Sequence, residues 1–215
     1  PPSDIYTNIF SASTNYDKDL FPNLLDSKQQ TLTKAFVGVT SDGYLKCWGS
    51  FTGSNFNGLP TTNDFTGSKV VFSNNAACVL KSDGTILTWG KSNEGGTGNN
   101  DLPENNLIPT DNGYTSIYAS GESFSAIKDD GTLSYWGLSS KNYIGSSGAP
   151  VNVGINSKII TNDGAFIALK SNGSLLNWGN SSYGGQHSTK PTGNYTKVVA
   201  SFTGFAALNT DGSLV

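Results

Sequence analysis

Two short apolar runs flank an Asn-Gly pair in Phe166-Ile167-Ala168-Leu169-Lys170-Ser171-Asn172-Gly173-Ser174-Leu175-Leu176-Asn177-Trp178-Gly179. Asx-Gly between two β-prone runs is the strongest short-range hairpin signal. The same frame recurs along the chain. Trp-Gly closes it at Trp48, Trp89, Trp136 and Trp178, and six residues earlier stands Asp42, Asp83, Asp130 or Asn172, each followed by Gly. Asp211-Gly212 opens a further copy whose Trp would lie two positions past Val215.

Apolar columns line up on this frame. Three residues before the Asx stand Val39, Leu80, Ile127, Leu169 and Leu208. Six before stand Phe36, Ala77, Phe124, Phe166 and Phe205, and three after stand Leu45, Ile86, Leu133, Leu175 and Leu214. Thirteen before stand Val70, Ile117, Ile159 and Val198. In the first copy the matching residue is Ile9, so an insertion of about 20 residues lies within Ser13 to Lys34. Each unit therefore reads as three short strands. The second, as in Phe205-Ala206-Ala207-Leu208, is apolar or small on both faces and so buried on both. Between second and third strands we expect a two-residue turn with positive φ at both positions, which Gly accepts and Asp or Asn tolerates.

Trp-to-Trp spacings of 41, 47 and 42 residues mark a repeat of about 40 residues whose small sheets cannot bury their faces alone. The expected fold is all-β: a β-propeller of short antiparallel blades, with about five repeat units present in one domain or part of one over 1–215. The four Trp residues are expected to pack between blades. Each buries about 200 Å², roughly 5 kcal/mol as an upper bound.

The motif Phe-x-Ala-Leu-Lys-Ser-Asn-Gly-Ser-Leu-x-x-Trp-Gly at Phe166 to Gly179 resembles the regulator-of-chromosome-condensation (RCC) repeat. Lys81 to Gly90 fits it equally, as does Tyr183-Gly184-Gly185 after the fourth Trp-Gly. The resemblance covers nearly the whole chain outside the insertion. It implies a propeller, usually of seven blades, so five units leave open a smaller ring or part of a larger one. Among the functions it implies are nucleotide exchange on a small GTPase with chromatin binding, inhibition of a β-lactamase, and surface binding. The chain departs from the family in lacking the His that often precedes the second strand; its one His is His187, in a loop.

Composition narrows these choices. The 215 residues carry a net charge of −3, with 26 Gly, 35% hydrophobic and 13% charged residues. All 13 basic residues are Lys, and Arg, which dominates phosphate and guanine readout, is absent. Nucleic acid is therefore not an expected partner. No apolar run reaches the roughly 18 residues of a membrane-spanning helix, and no basic-plus-apolar leader opens the chain. A start at Pro1 without Met, and a stop within the repeat, lead us to expect a processed chain or a segment of a longer one.

Catalytic chemistry finds no constellation. A Ser-His-Asp triad would depend wholly on His187, in a polar loop. Gly121-Glu122-Ser123-Phe124-Ser125 lacks the closing Gly of a nucleophile elbow. Gly84 to Ser92 ends like a phosphate loop, but it reads as a strand rather than a turn into a helix. Neither metal ligands nor a cofactor motif emerge, and we expect no enzyme. Cys47 and Cys78 suit buried thiols or a bridge if their Cα atoms come within about 7 Å. Asn-x-Ser/Thr triplets stand at Asn172, Asn180 and Asn194.

Repeat columns are committed to packing, so function belongs where the units differ. Candidate binding residues are Tyr16 and Phe21 in the insertion, Phe51 and Phe56 after the first Trp-Gly, and Asn99, Asp101 and Glu104 after the second. Aromatics beside amides and carboxylates suit a protein or glycan. The expectation is a non-catalytic binding or structural module, adhesin-like, extracellular or exposed on a cell or virion. It would engage protein or glycan through blade-connecting loops, with a homo-oligomer or further blades completing the arc. The alternatives are a soluble inhibitor of an enzyme and, behind it, a GTPase exchange factor.

Overall fold

The computed structural model describes residues 5–11, 34–50, 59–96, 107–137, 150–185 and 192–215. The first blade holds β1 (Tyr6–Ser11), β2 (Lys34–Thr40) and β3 (Leu45–Ser50). The second holds β4 (Lys69–Phe72), β5 (Ala76–Leu80) and β6 (Ile86–Gly90). The third holds β7 (Tyr114–Ala119), β8 (Ser123–Lys128) and β9 (Leu133–Gly137). The fourth holds β10 (Lys158–Thr161), β11 (Ala165–Leu169) and β12 (Leu175–Gly179). The fifth holds β13 (Tyr195–Ala200) and β14 (Phe205–Asn209), with a single bridge from Leu208 to Leu214 where a third strand would run. Every sheet is antiparallel with its strands in chain order. Residues 12–33, which hold the insertion, lie outside the described residues.

In the second to fourth blades the two faces of the second strand serve two different interfaces, because side chains alternate with a period of two. In β5 all five residues are buried. Ala77 and Val79 face the first blade with Trp89, joining Val37, Val39 and Leu45. Ala76, Cys78 and Leu80 face the third blade, joining Ile117, Phe124 and Trp136. The third and fourth blades meet through Ile127, Leu133 and Tyr135 against Phe166, Ala168 and Trp178. Ile167, Val198 and Ala207 join the fourth to the fifth. Trp89, Trp136 and Trp178 are thus inter-blade residues, exposed by no more than 1%. Trp48 differs. It is 39% exposed, stacked on Phe36 at 6.0 Å and edge-on to Tyr6 at 5.7 Å, because no described blade precedes it.

Indole N–H groups follow the same order. Trp178 Nε1 donates to Ser125 Oγ of the preceding blade at 3.3 Å, and Trp136 Nε1 donates to the Gly95 carbonyl at 3.3 Å. Trp89 Nε1 is buried and has no acceptor among the described residues.

The Asx-Gly turns correct one expectation. The only described non-Gly residue with positive φ is Asn156, so the Asx position is not left-handed. In the second blade Gly84 N donates to the Lys81 carbonyl at 3.0 Å and Lys81 N to the Thr85 carbonyl at 2.9 Å. This is a three-residue loop in which Gly84, at φ +81°, supplies the left-handed residue. Asp83 instead acts as an acceptor, its Oδ1 taking the Thr85 N–H at 2.9 Å. Gly84 is also required by space. A Cβ there would stand 2.9 Å from Gly113 N.

That close approach staples one blade to the next. The Gly43 carbonyl accepts from Phe65 N, Gly84 from Tyr114 N, Gly131 from Val153 N, and Gly173 from Tyr195 N, at 2.8–3.1 Å. The four donor residues bury their side chains, at 0–4% exposure. The first strands of successive blades contact one another, which places them at the inner side of the arc.

Candidate binding face

At the end of the blades opposite the Asx-Gly turns, the first strand returns into the second through a two-residue tip in the second to fifth blades. The frame is constant. Ser73 N donates to the Ala76 carbonyl, Ser120 N to Ser123, Asn162 N to Ala165 and Ser201 N to Gly204, all at 2.9–3.0 Å. The tips themselves differ: Asn74-Asn75, Gly121-Glu122, Asp163-Gly164 and Phe202-Thr203. Three of them lock side by side, with Asn74 N donating to the Gly121 carbonyl at 2.7 Å and Gly121 N to the Asp163 carbonyl at 2.8 Å. The tips of three blades thereby share one hydrogen-bonded rim.

After Trp-Gly, two blades add a short 3-10 turn at this end, Ser92–Glu94 and Ser181–Tyr183. Equivalent positions carry Glu94 in one and Tyr183 in the other. Glu94 is buried, accepts from Asn75 Nδ2 at 2.8 Å and pairs with Lys91 Nζ, so it ties its turn to the tip. In the fourth blade Gly164 takes the place of Asn75 and Tyr183 that of Glu94. A Cβ on Gly164 would stand 2.7 Å from Tyr183 Cδ2, so the ring lies directly on the tip. The Tyr183 ring meets Phe202 edge-on at 6.2 Å. Burial, and then the carboxylates of Asp163 and Glu122, push the Tyr183 phenol above its ordinary value. Tyr183, Phe202, Asp163 and Glu122 therefore form an acidic–aromatic group on the rim.

The loop residues singled out by sequence, Tyr16, Phe21, Phe51, Phe56, Asn99, Asp101 and Glu104, lie outside the described residues, as does His187. The described residues that precede these loops sit at the rim end. Ser11 and Lys34 bound the insertion, Ser50 pairs with Lys34, and Gly96 N donates to the Lys91 carbonyl at 2.9 Å. The tip residues were missed by sequence reasoning, which read Gly121 to Ser125 only as a failed nucleophile elbow. Their signal was present: they are the pair just ahead of the second-strand core, differing from unit to unit within a constant frame.

The two cysteines are free thiols. Cys47 packs toward the interface of the first and second blades and Cys78 toward that of the second and third. Burial pushes the Cys47 thiol up to about 12, and Cys78 higher still. A thiol held neutral in this way is a poor nucleophile at neutral pH. Among the described residues no group of three or more His, Cys, Asp or Glu side chains could hold a metal ion, and no helix is long and apolar enough to cross a membrane.

No family model matches the chain, and no curated protein matches its sequence. Solved structures do. Human WBSCR16 superposes with a TM-score of 0.54 at 13% identity, covering 85% of this chain and 58% of that one. Prp20p from Saccharomyces cerevisiae, whose binding properties to Gsp1p and histones were described with its structure, gives 0.53 at 16%, covering 84% and 55%. Yeast RCC1 (Prp20) bound to Kap60 gives 0.52 at 16%, covering 84% and 53%. The chain thus spans a little over half the length of these proteins. With three-stranded antiparallel blades, a Trp-Gly at the close of each complete one and this likeness, the chain has the RCC1-like β-propeller fold.

Proposed function

We propose that the chain is a non-catalytic binding module that holds a protein partner bearing basic and apolar side chains against its rim. The observation that carries this reading is the convergence of Glu122 and Asp163, on hydrogen-bonded tips, with Tyr183 and the Phe202 ring that meets it. Elsewhere the repeat residues are consumed by inter-blade packing. A rigid rim costs little ordering entropy on binding, and aromatics beside carboxylates supply contact area together with charge complementarity. The partners named with the yeast fold neighbours are themselves proteins, which favours protein over a small ligand.

A displayed random-peptide library panned on the folded chain tests the proposal. The expected result is enrichment of peptides with Lys or Arg beside an aromatic, lost when the same pool meets the Asp163→Asn/Phe202→Ala variant. Enriched peptides that bind this variant as well as the parent would overturn it, as would the absence of any enrichment. Thermal unfolding of the variant close to that of the parent verifies the fold.

A further inference from the structure

The second and fourth blades carry the same station at the rim and fill it differently. Ser73 N bonds across its tip to the Ala76 carbonyl as Asn162 N does to Ala165, so Asn74 and Asn75 correspond to Asp163 and Gly164. The 3-10 turns Ser92–Glu94 and Ser181–Tyr183 both end at a left-handed Gly, at φ 85° and 82°, so Lys91 corresponds to Asn180 and Glu94 to Tyr183. In the second blade the chain completes the station itself. Lys91 Nζ supplies the cation on Glu94, and Asn75 Nδ2 donates to the same carboxylate at 2.8 Å. In the fourth blade each part is exchanged. Asn180 stands where Lys91 does, its Oδ1 spent on Ser182 N at 2.9 Å, and residues 180–185 include no basic side chain. The acid has moved from the turn to the tips, at Asp163 and Glu122, and the half-buried Tyr183 ring takes the place of the carboxylate. A Cβ on Gly164 would stand 2.7 Å from both Cγ and Cδ2 of that ring, and Phe202 meets it at an interplanar angle of 67°. Asp163 and Glu122 both act on the Tyr183 phenol, which puts their negative charge beside the ring.

We propose that the fourth blade's station takes an arginine side chain from the protein partner, where the second blade's takes a lysine from its own chain; this rests on the rim binding proposed above and narrows it. A guanidinium is planar. Stacked on the Tyr183 ring, it keeps its N–H groups at its edge, where they serve the two carboxylates at the same time. An ammonium holds its charge and its three donors at one point, so it serves the ring or the carboxylates but not both to full effect.

NMR titration of the isotope-labelled 215-residue chain with two end-blocked pentapeptides, alike except for a central Arg or Lys, tests it. The Arg peptide should bind at least about threefold more tightly than the Lys peptide. The amides that move should be those of Gly164, Tyr183 and Phe202. Tyr183→Leu should remove the preference, and Tyr183→Phe, which keeps the ring, should retain it. Asp163→Asn should weaken both peptides alike. Equal affinity of the two peptides for the parent overturns the proposal. So does a preference that survives Tyr183→Leu, a set of shifts away from the rim, or no binding by either peptide. Panned peptides that carry Lys alone and still need Asp163 and Phe202 would sink the arginine assignment and leave rim binding standing. If Tyr183→Leu melts well below the parent, Tyr183→Gln takes its place.

Discussion

Trp178 and Ser125 are joined across a blade boundary, indole Nε1 to Oγ at 3.3 Å, while the equivalent pair Trp89 and Val37 has no such bond. The equivalence follows from register, since Phe36 pairs with Trp48 as Phe124 pairs with Trp136. Phe in place of Trp at 178 should then cost about 0.5–1.5 kcal/mol more than at 89, where a buried donor without an acceptor is removed. Urea unfolding of the two variants measures the difference. Adding Ser125→Val should erase it.

Gly164 and Tyr183 form a pair that only a residue without Cβ permits. Gly164→Ala should destabilise by about 1–3 kcal/mol through overpacking. Adding Tyr183→Ala should recover most of that loss, because the clash partner is gone. The cycle fails to show coupling only if the ring does not rest on the tip in solution.

Neither thiol should react with a disulfide reagent at neutral pH in the folded chain. Both are pushed far above neutrality by burial, Cys47 to about 12. Unfolding in guanidinium should make both reactive.

Acid should weaken the end of the blades that carries the Asx-Gly turns. A hydrogen bond from Lys81, then one from Thr62, holds Asp64 below the usual carboxylate value, and Lys128, then Tyr114, does the same for Asp111. Folded values below the unfolded one mean that these groups stabilise fully above roughly pH 3.9. The contribution disappears as pH falls from there through the depressed native values. An Asp64→Asn/Asp111→Asn variant should therefore be slightly less stable than the parent at neutral pH and lose less on acidification. Both carboxylates face solvent, so added salt should shrink the difference.

Much of this fold could be read in the sequence because its core columns sit at fixed distances from Asx-Gly. Val39, Leu80 and Ile127 were found that way, and they are buried. The docked residues Phe65 and Val153 escaped notice although fully buried, because their distance to the first-strand column is not constant. It is five residues from Phe65 to Val70, three from Tyr114 to Ile117, six from Val153 to Ile159 and three from Tyr195 to Val198. In the short cases a bulge absorbs the difference, at Tyr114/Ser116 and Tyr195/Lys197. The turn class was misread because Asx-Gly serves two-residue and three-residue loops alike, and only hydrogen-bond positions tell them apart. The rim was passed over because its tips have no shared residue type, only a shared place ahead of the second-strand core. Their common property is where they stand.

Each hairpin carbonyl that accepts from the next blade couples nearest neighbours and nothing farther away. Stability in such a chain of sheets behaves as a sum over adjacent pairs, so the order of opening is set by position rather than by local sequence. Among the described residues the second to fourth blades are each packed on both sides. Amide exchange should fall into tiers, slowest in β5, β8 and β11, the strands buried on both faces.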